Sequence, residues 1–179
     1  MLGNTDLARS NYRYWLELLT SAVSAGANSP VCCVGSVLPT LFDTLFIQYS
    51  YAVRAYTSMT RSLGDAGNTM TLMYKHTQLH PEDLNKVVVH YGHVFPFRLG
   101  EFGCMNLGYD IYCPDQIVLP EELLHEVMHV KQFVEQAGRS LSMYGRMYLQ
   151  QYCDTGAYSA MPWEKEAYAI ERAFFTPIT

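Results

Sequence analysis

The chain carries little charge and none of it is concentrated: Asp, Glu, Lys and Arg make up 16% of its 179 residues, the net charge is −5, and Lys and Arg cluster nowhere. A protein that holds nucleic acid needs a basic surface to neutralise phosphates, so nucleic acid is excluded as a partner. There is no internal repeat and no low-complexity tract, which removes repeat architectures and linker-rich assemblies. Cysteine pairs at metal-site spacing are also missing. The five cysteines (Cys32, Cys33, Cys104, Cys113, Cys153) contain no CxxC and are odd in number, so neither a cysteine zinc site nor a disulfide framework is expected. Reduced thiols are the default, with Cys104 and Cys113 the one pair that could face each other across a hairpin. An uninterrupted membrane span is lacking as well. Residues 31–53 form the most apolar stretch, but Pro39, Asp43 and Gln48 break it, and a buried or interfacial helix is expected in place of a span. The first ten residues, MLGNTDLARS, lack the basic-then-apolar order of a secretory leader. A cytoplasmic location, or export without a cleaved signal, is the corresponding expectation.

What is present is a globular composition, 49% hydrophobic, long enough for one domain with a real core, or for such a core with a helical appendage. Leu7, Tyr12, Trp15, Leu18 and Leu19 recur at helical spacing over residues 6–25, and Gly26 to Pro30 stop them. A second helix is expected over residues 39–63, with Leu41, Leu45, Tyr49, Ala52 and Tyr56 about four apart. We expect residues 1–75 to form an N-terminal helical layer. Its tyrosines and methionines serve as core or as contacts to a protein partner or a second copy of the chain. Residues 76–179 are expected to form the core domain.

That core begins with a helical turn at Pro81 and a β-branched run, Val87 to Val89, that reads as a buried strand. Strands over residues 100–106 and 109–113 flank Leu107-Gly108, where glycine can take the positive φ of a tight hairpin. The second arm is expected at the edge of the sheet. Pro120 then sits where a first-turn proline opens a helix, Glu121 and Glu122 follow it, and Gly138 stands where a helix would end. Further helices are expected over residues 140–152 and from Pro162 to Phe174. Helices, then a small mostly antiparallel sheet, then helices make an α+β pattern.

The helix opened by Pro120 contains His125-Glu126-Val127-Met128-His129, an HExxH motif. Residues four apart stack on one helix face, so both imidazoles can reach one metal ion, with Glu126 beside them to act on a water. With the chain's own composition, about 0.01 such matches would arise by chance. A catalytic zinc site needs a third protein ligand and an open position. No HxxGxxH continuation follows His129, which argues against the metzincin arrangement. The acidic candidates downstream are Asp154, Glu164, Glu166 and Glu171. Glu164 and Glu171 lie seven apart on one face of the last helix, and spacing leaves both open. His90 and His93 fall at or just after a strand and read as structural histidines.

Four groups of residues carry a resemblance to a known family. They are Val87-Val88-Val89-His90; Gly108-Tyr109-Asp110-Ile111-Tyr112; Leu123-Leu124-His125-Glu126 with His129-Val130 and Gln132; and Trp163-Glu164-Lys165-Glu166-Ala167. Together, over residues 84–173, they make the chain resemble the metallopeptidase-like core domain associated with extracellular contractile injection systems, a family of minimal gluzincins. The resemblance implies a zincin-like fold and zinc held by His125, His129 and Glu164, the last being the glutamate three before Ala167. It implies peptide-bond hydrolysis with Glu126 as general base to a metal-activated water, and a peptide or protein substrate. Tyr168 stands where the family has an acidic residue after that alanine, and the segment over residues 98–104 differs in length. Gluzincins usually stabilise the developing oxyanion with a Tyr or His; Tyr144, Tyr148, Tyr152 and Tyr158 are the tyrosine candidates. A peptide is expected to add as a strand along an edge near residues 109–113. The competing reading is a non-catalytic zincin-like structural or interaction module, in which a carboxylate at position 126 would have no duty.

Overall fold

The structure, a computed structural model, describes residues 46–51, 53–55, 58–63, 68–95 and 103–174. The helix expected over residues 6–25 lies outside them, as do Cys32 and Cys33. Residues 46–51 are helical. The helix expected to continue to residue 63 does not, because Met59–Ser62 is a strand, β1, held by backbone pairing from Met59 opposite Tyr91 to Ser62 opposite Val88. Met59, Thr60 and Arg61 are exposed, so no apolar stripe anchors a helix there and the distant strand decides the conformation.

Helix α1 (Asn68–Thr77) and the single turn α2 (Pro81–Leu84) lead into β2 (Val88–Tyr91). The hairpin β3 (Met105–Leu107) and β4 (Asp110–Tyr112) follows, then helices α3 (Pro120–Glu135), α4 (Leu141–Thr155) and α5 (Pro162–Phe174), with a 3-10 turn at Tyr158–Ala160. The boundary expected between residues 75 and 76 falls inside α1, and Leu63 and Met73 belong to the same core as α3.

The class is α+β with a four-stranded mixed sheet in the order β1-β2-β4-β3. Two pairings are antiparallel and one, β2 with β4, is parallel. This corrects the expected place of residues 109–113: β4 is paired on both sides and is not an edge. Ile111 is fully buried and Asp110 is met by Arg54 and His90 from neighbouring elements. The edges among the described strands are β1 and β3.

The hairpin turns where expected. Gly108 has φ 76°, a left-handed conformation that glycine adopts without a Cβ penalty. It also lies so close to α3 that a Cβ would sit 3.3 Å from Phe133 Cζ. A disulfide joins Cys104 to Cys113 with 4.3 Å between the Cα atoms, correcting the default of reduced thiols. The two cysteines extend the β3/β4 ladder by one step beyond the pair Met105 and Tyr112, which is why their side chains meet.

Pro120 opens α3 as expected, and Glu122 accepts a hydrogen bond from the Leu119 N–H at 3.3 Å, satisfying one donor that the helix start leaves unpaired. The helix stops at Glu135, and Gly138 (φ 59°) lies in the return loop that Arg139 N–H closes onto Phe133 O at 3.0 Å. Its inner face is apolar. Leu124, Val127 and Val130 are fully buried in one core with Val89, Ile111 and Leu84, and cutting Leu124 to alanine would cost about 3 kcal/mol in lost burial and cavity. Helix α3 therefore has little freedom to rotate, and its second face, which holds the motif, is aimed at α5.

Candidate metal centre

His125 and His129 both lie on the buried length of α3, one turn apart, with their Nε2 atoms 3.2 Å from each other. Helix α5 supplies the third group. Pro162 opens it, Trp163 joins the core that α3 fills and Ala167 is buried, and Glu164 is thereby carried into the interior with no solvent exposure. Its Oε2 lies 3.3 Å from His125 Nε2 and its Oε1 3.3 Å from His129 Nε2. His125, His129 and Glu164 form a buried group that can hold a metal ion.

The hydrogen bonds around the group fix how it presents itself. His129 Nδ1–H donates to Gln132 Oε1 at 2.8 Å, and His125 Nδ1–H donates to Glu171 Oε2 at 3.2 Å. With each Nδ1 acting as donor, each neutral ring keeps its Nε2 lone pair, and the two lone pairs face one another beside a carboxylate. Three acceptors pointed at one place repel each other unless a cation sits among them. The 3.2 Å between the two Nε2 atoms matches the edge of about 3.3 Å expected of a tetrahedron with bonds of 2.0–2.1 Å, and Glu164 turns a different oxygen to each imidazole at 3.3 Å. Glu164 Oε2 is also buried without a hydrogen-bond donor, an orphan that costs free energy unless something cationic meets it. The donor set fits a metal ion.

Where no cation eases this crowding, a proton can, an imidazolium Nε2–H then facing Glu164. Burial alone would raise the Glu164 carboxyl, but the bonds from His125, His129 and Tyr148 outweigh it and hold the group well below the usual carboxylate range. Burial likewise works against charge on His129, yet its bond to Glu164 and the nearby Glu126 carboxylate lift the imidazole above its ordinary value. Glu126 is pushed the other way: desolvation raises its carboxyl, and the two histidines only partly offset this.

Of the four acidic candidates, Glu164 is the one that meets both imidazoles. Glu171 approaches His125 from the opposite ring nitrogen, Glu166 accepts from Gln132 Nε2 at 2.9 Å, and Asp154 is exposed and bonded to Gln150. Gln132 is fully buried and also donates to Trp163 O at 3.0 Å, so it ties His129 to the start of α5. Its spacing of three from His129 on the same helix is a signal that identifies it as that partner.

A cleft of about 160 Å³ opens beside the group, lined by Glu122, Glu126, Tyr158, Tyr168 and Glu171 together with Gly103 and Cys104. The Tyr168 ring stands edge-on to His125 with 4.7 Å between centroids. Tyr144 is buried and stacked on Trp163 at 5.2 Å, while the Tyr148 hydroxyl donates to Glu164 Oε1. Tyr152 does not line the cleft. His90 donates or accepts at both ring nitrogens, and His93 Nε2–H donates to Val53 O at 2.9 Å. Among the described residues no helix is long and apolar enough to cross a membrane.

No family model, no curated protein and no solved structure matches this chain.

Proposed function

We propose that the chain is a zinc-dependent peptidase of zincin-like, gluzincin-type build, acting on a peptide or protein. The observation that carries the reading is the convergence of His125, His129 and Glu164 on one point, with Glu126 facing the adjoining cleft. Two imidazoles and one carboxylate suit zinc, whereas magnesium and calcium favour all-oxygen sets. Bound there, zinc supplies Lewis acidity toward a carbonyl and makes water a nucleophile near neutral pH.

The rest of the chemistry belongs to side chains. Glu126 takes the proton of the attacking water and returns it to the leaving amine. Its burial, which raises its proton affinity above that of a solvated carboxylate, suits a group that must both accept and release a proton. Glu171 and Gln132 orient the imidazoles, and Tyr148 orients Glu164. Of the four tyrosines considered, Tyr158 is the one that lines the cleft, and we assign it as donor to the carbonyl oxygen as negative charge develops there. Strand addition of substrate moves from β4, which has no open side, to β3, because Gly103 and Cys104 lead into that edge strand and form one wall of the cleft.

Glu126 also separates this reading from a structural module, since a carboxylate that lines the cleft beside the two histidines, its proton affinity raised by desolvation, has no duty in a module that only holds metal. The test is Glu126→Gln on the zinc-loaded protein. Metal content should stay at the wild-type level while peptide hydrolysis falls by about 100-fold or more; hydrolysis at the wild-type rate would remove Glu126 from the mechanism.

A further inference from the structure

The cleft beside the metal group has walls of one sign. Glu122 enters it from the first turn of α3 and Glu171 from α5, Glu126 sits at its base, and none of its lining residues is Lys or Arg. Glu164 lies buried behind. A divalent ion would offset two of these four carboxylates and leave a net charge of −2 in a narrow space, where the field of fixed charges is focused. Each wall carboxylate has capacity to spare. Glu122 uses Oε2 for the Leu119 N–H and Glu171 uses Oε2 for His125, whereas a carboxylate can accept about four hydrogen bonds. Glu126 gives an independent sign that the cleft takes a ligand: it is only 8% exposed, lines the cleft, and receives no hydrogen bond from the described residues.

Size narrows the ligand further. At about 160 Å³ the cleft is smaller than the roughly 300 Å³ at which whole small-molecule sites begin, and it suits one side chain of a longer chain. Tyr158 and Tyr168 add ring faces against which the aliphatic stem of a Lys or Arg packs while its cationic head reaches the carboxylates.

We propose that this cleft selects peptides carrying a Lys or Arg side chain next to the bond that is cut, with Glu122 and Glu171 as the residues that set the preference. The inference rests on the peptidase reading above. Its test uses zinc-loaded protein and fluorogenic peptides that differ only in having Lys, Ala or Glu at each position flanking the scissile bond. At one position kcat/KM should favour Lys over Glu by about tenfold or more, as expected for two partly solvated carboxylates acting together. Glu122→Gln retains an acceptor for the Leu119 N–H and removes the charge, so it should reduce the Lys-to-Glu ratio to about a third. Glu122→Lys should reverse it. Equal rates for Lys and Glu peptides, or an unchanged ratio in both variants, would overturn the charge preference and leave the peptidase reading intact. Should no peptide be cleaved at all, the peptidase reading fails instead, and fluorescence anisotropy decides the inference. Tighter binding of the Lys peptide than the Glu peptide to Glu126→Gln, weakening as salt is raised, supports it; equal affinities overturn it.

Discussion

On the sheet, His90 of β2 meets Asp110 of β4 at 2.9 Å; between α3 and α5, His125 and His129 meet Glu164 at 3.3 Å. Both regions pair imidazole with carboxylate, yet they are built differently. His90 has both ring nitrogens engaged, by Asp110 and at 3.4 Å by Ser58 Oγ, and its ring stacks on Tyr112 with 4.2 Å between centroids. Asp110 is shared with Arg54 at 3.3 Å, so the charges balance locally. In the α3/α5 region each histidine spends one nitrogen on an outer partner and keeps the other turned inward, and a carboxylate oxygen is left orphaned at the meeting point. A group able to hold a metal is thus distinguished by unused lone pairs aimed at a common point, and the presence of His and acid together does not suffice.

The largest effect that could break this comparison is removal of metal. A chelator should lower the melting temperature of the wild-type protein by about 10 °C if metal is present near 1,000 times its dissociation constant. His90→Asn should show the same drop, since that cluster holds no ion; a thermal scan with and without chelator measures both. Next comes the division of labour on α5. Glu164→Ala should weaken zinc binding by about 100-fold or more, and Glu171→Ala by about tenfold, as for a partner that only orients a ligand. Competition against a zinc indicator gives both constants, and the reverse order would make Glu171 the ligand.

A third carboxylate sharpens the contrast from the balanced side. Asp83 is buried and held by Arg139 at 2.9 Å, by the Tyr109 hydroxyl and by Lys86 at 3.1 Å. The Arg139 hydrogen bond is the chief reason its carboxyl lies well below the ordinary range, against the opposing pull of burial. The stability this contributes is present above the unfolded carboxylate value of about 3.9 and is lost as pH falls below it toward the folded value. Asp83→Asn should cost about 2 kcal/mol at pH 7 and flatten the acid limb of the stability curve, without altering metal content. Denaturant titrations at pH 7 and pH 3 provide the comparison. The smallest effect belongs to His90→Asn, about 1 kcal/mol of stability with zinc affinity unchanged.

How far the sequence alone reached follows from which contacts are local. The motif helix was legible because HExxH, the first-turn Pro120 and the apolar positions at 124, 127 and 130 all act within a few residues of chain. The β3/β4 turn was legible for the same reason, through Gly108. What escaped depends on distant partners. Strand β1 has three exposed residues and exists by pairing with β2; β4 lost its expected edge because β2 docks parallel to it. At the site, Glu164 and Glu171 are equivalent by helical spacing, and only the packing of α5 on α3 brings one to the Nε2 side of the imidazoles and the other to the Nδ1 side. Tyr168 and Glu122 carried weaker signals, each lying on the face of a site residue four positions away, but the cleft they share needs four separate segments of chain.

The most direct test of the central claim is metal content, by elemental mass spectrometry, of protein purified without added metal, compared with the double variant His125→Ala, His129→Ala. Wild-type protein should carry about one zinc per chain, for a group that offers three ligands to one ion, and the variant none. Wild-type protein that carries no metal and takes up none when zinc is offered would contradict the claim.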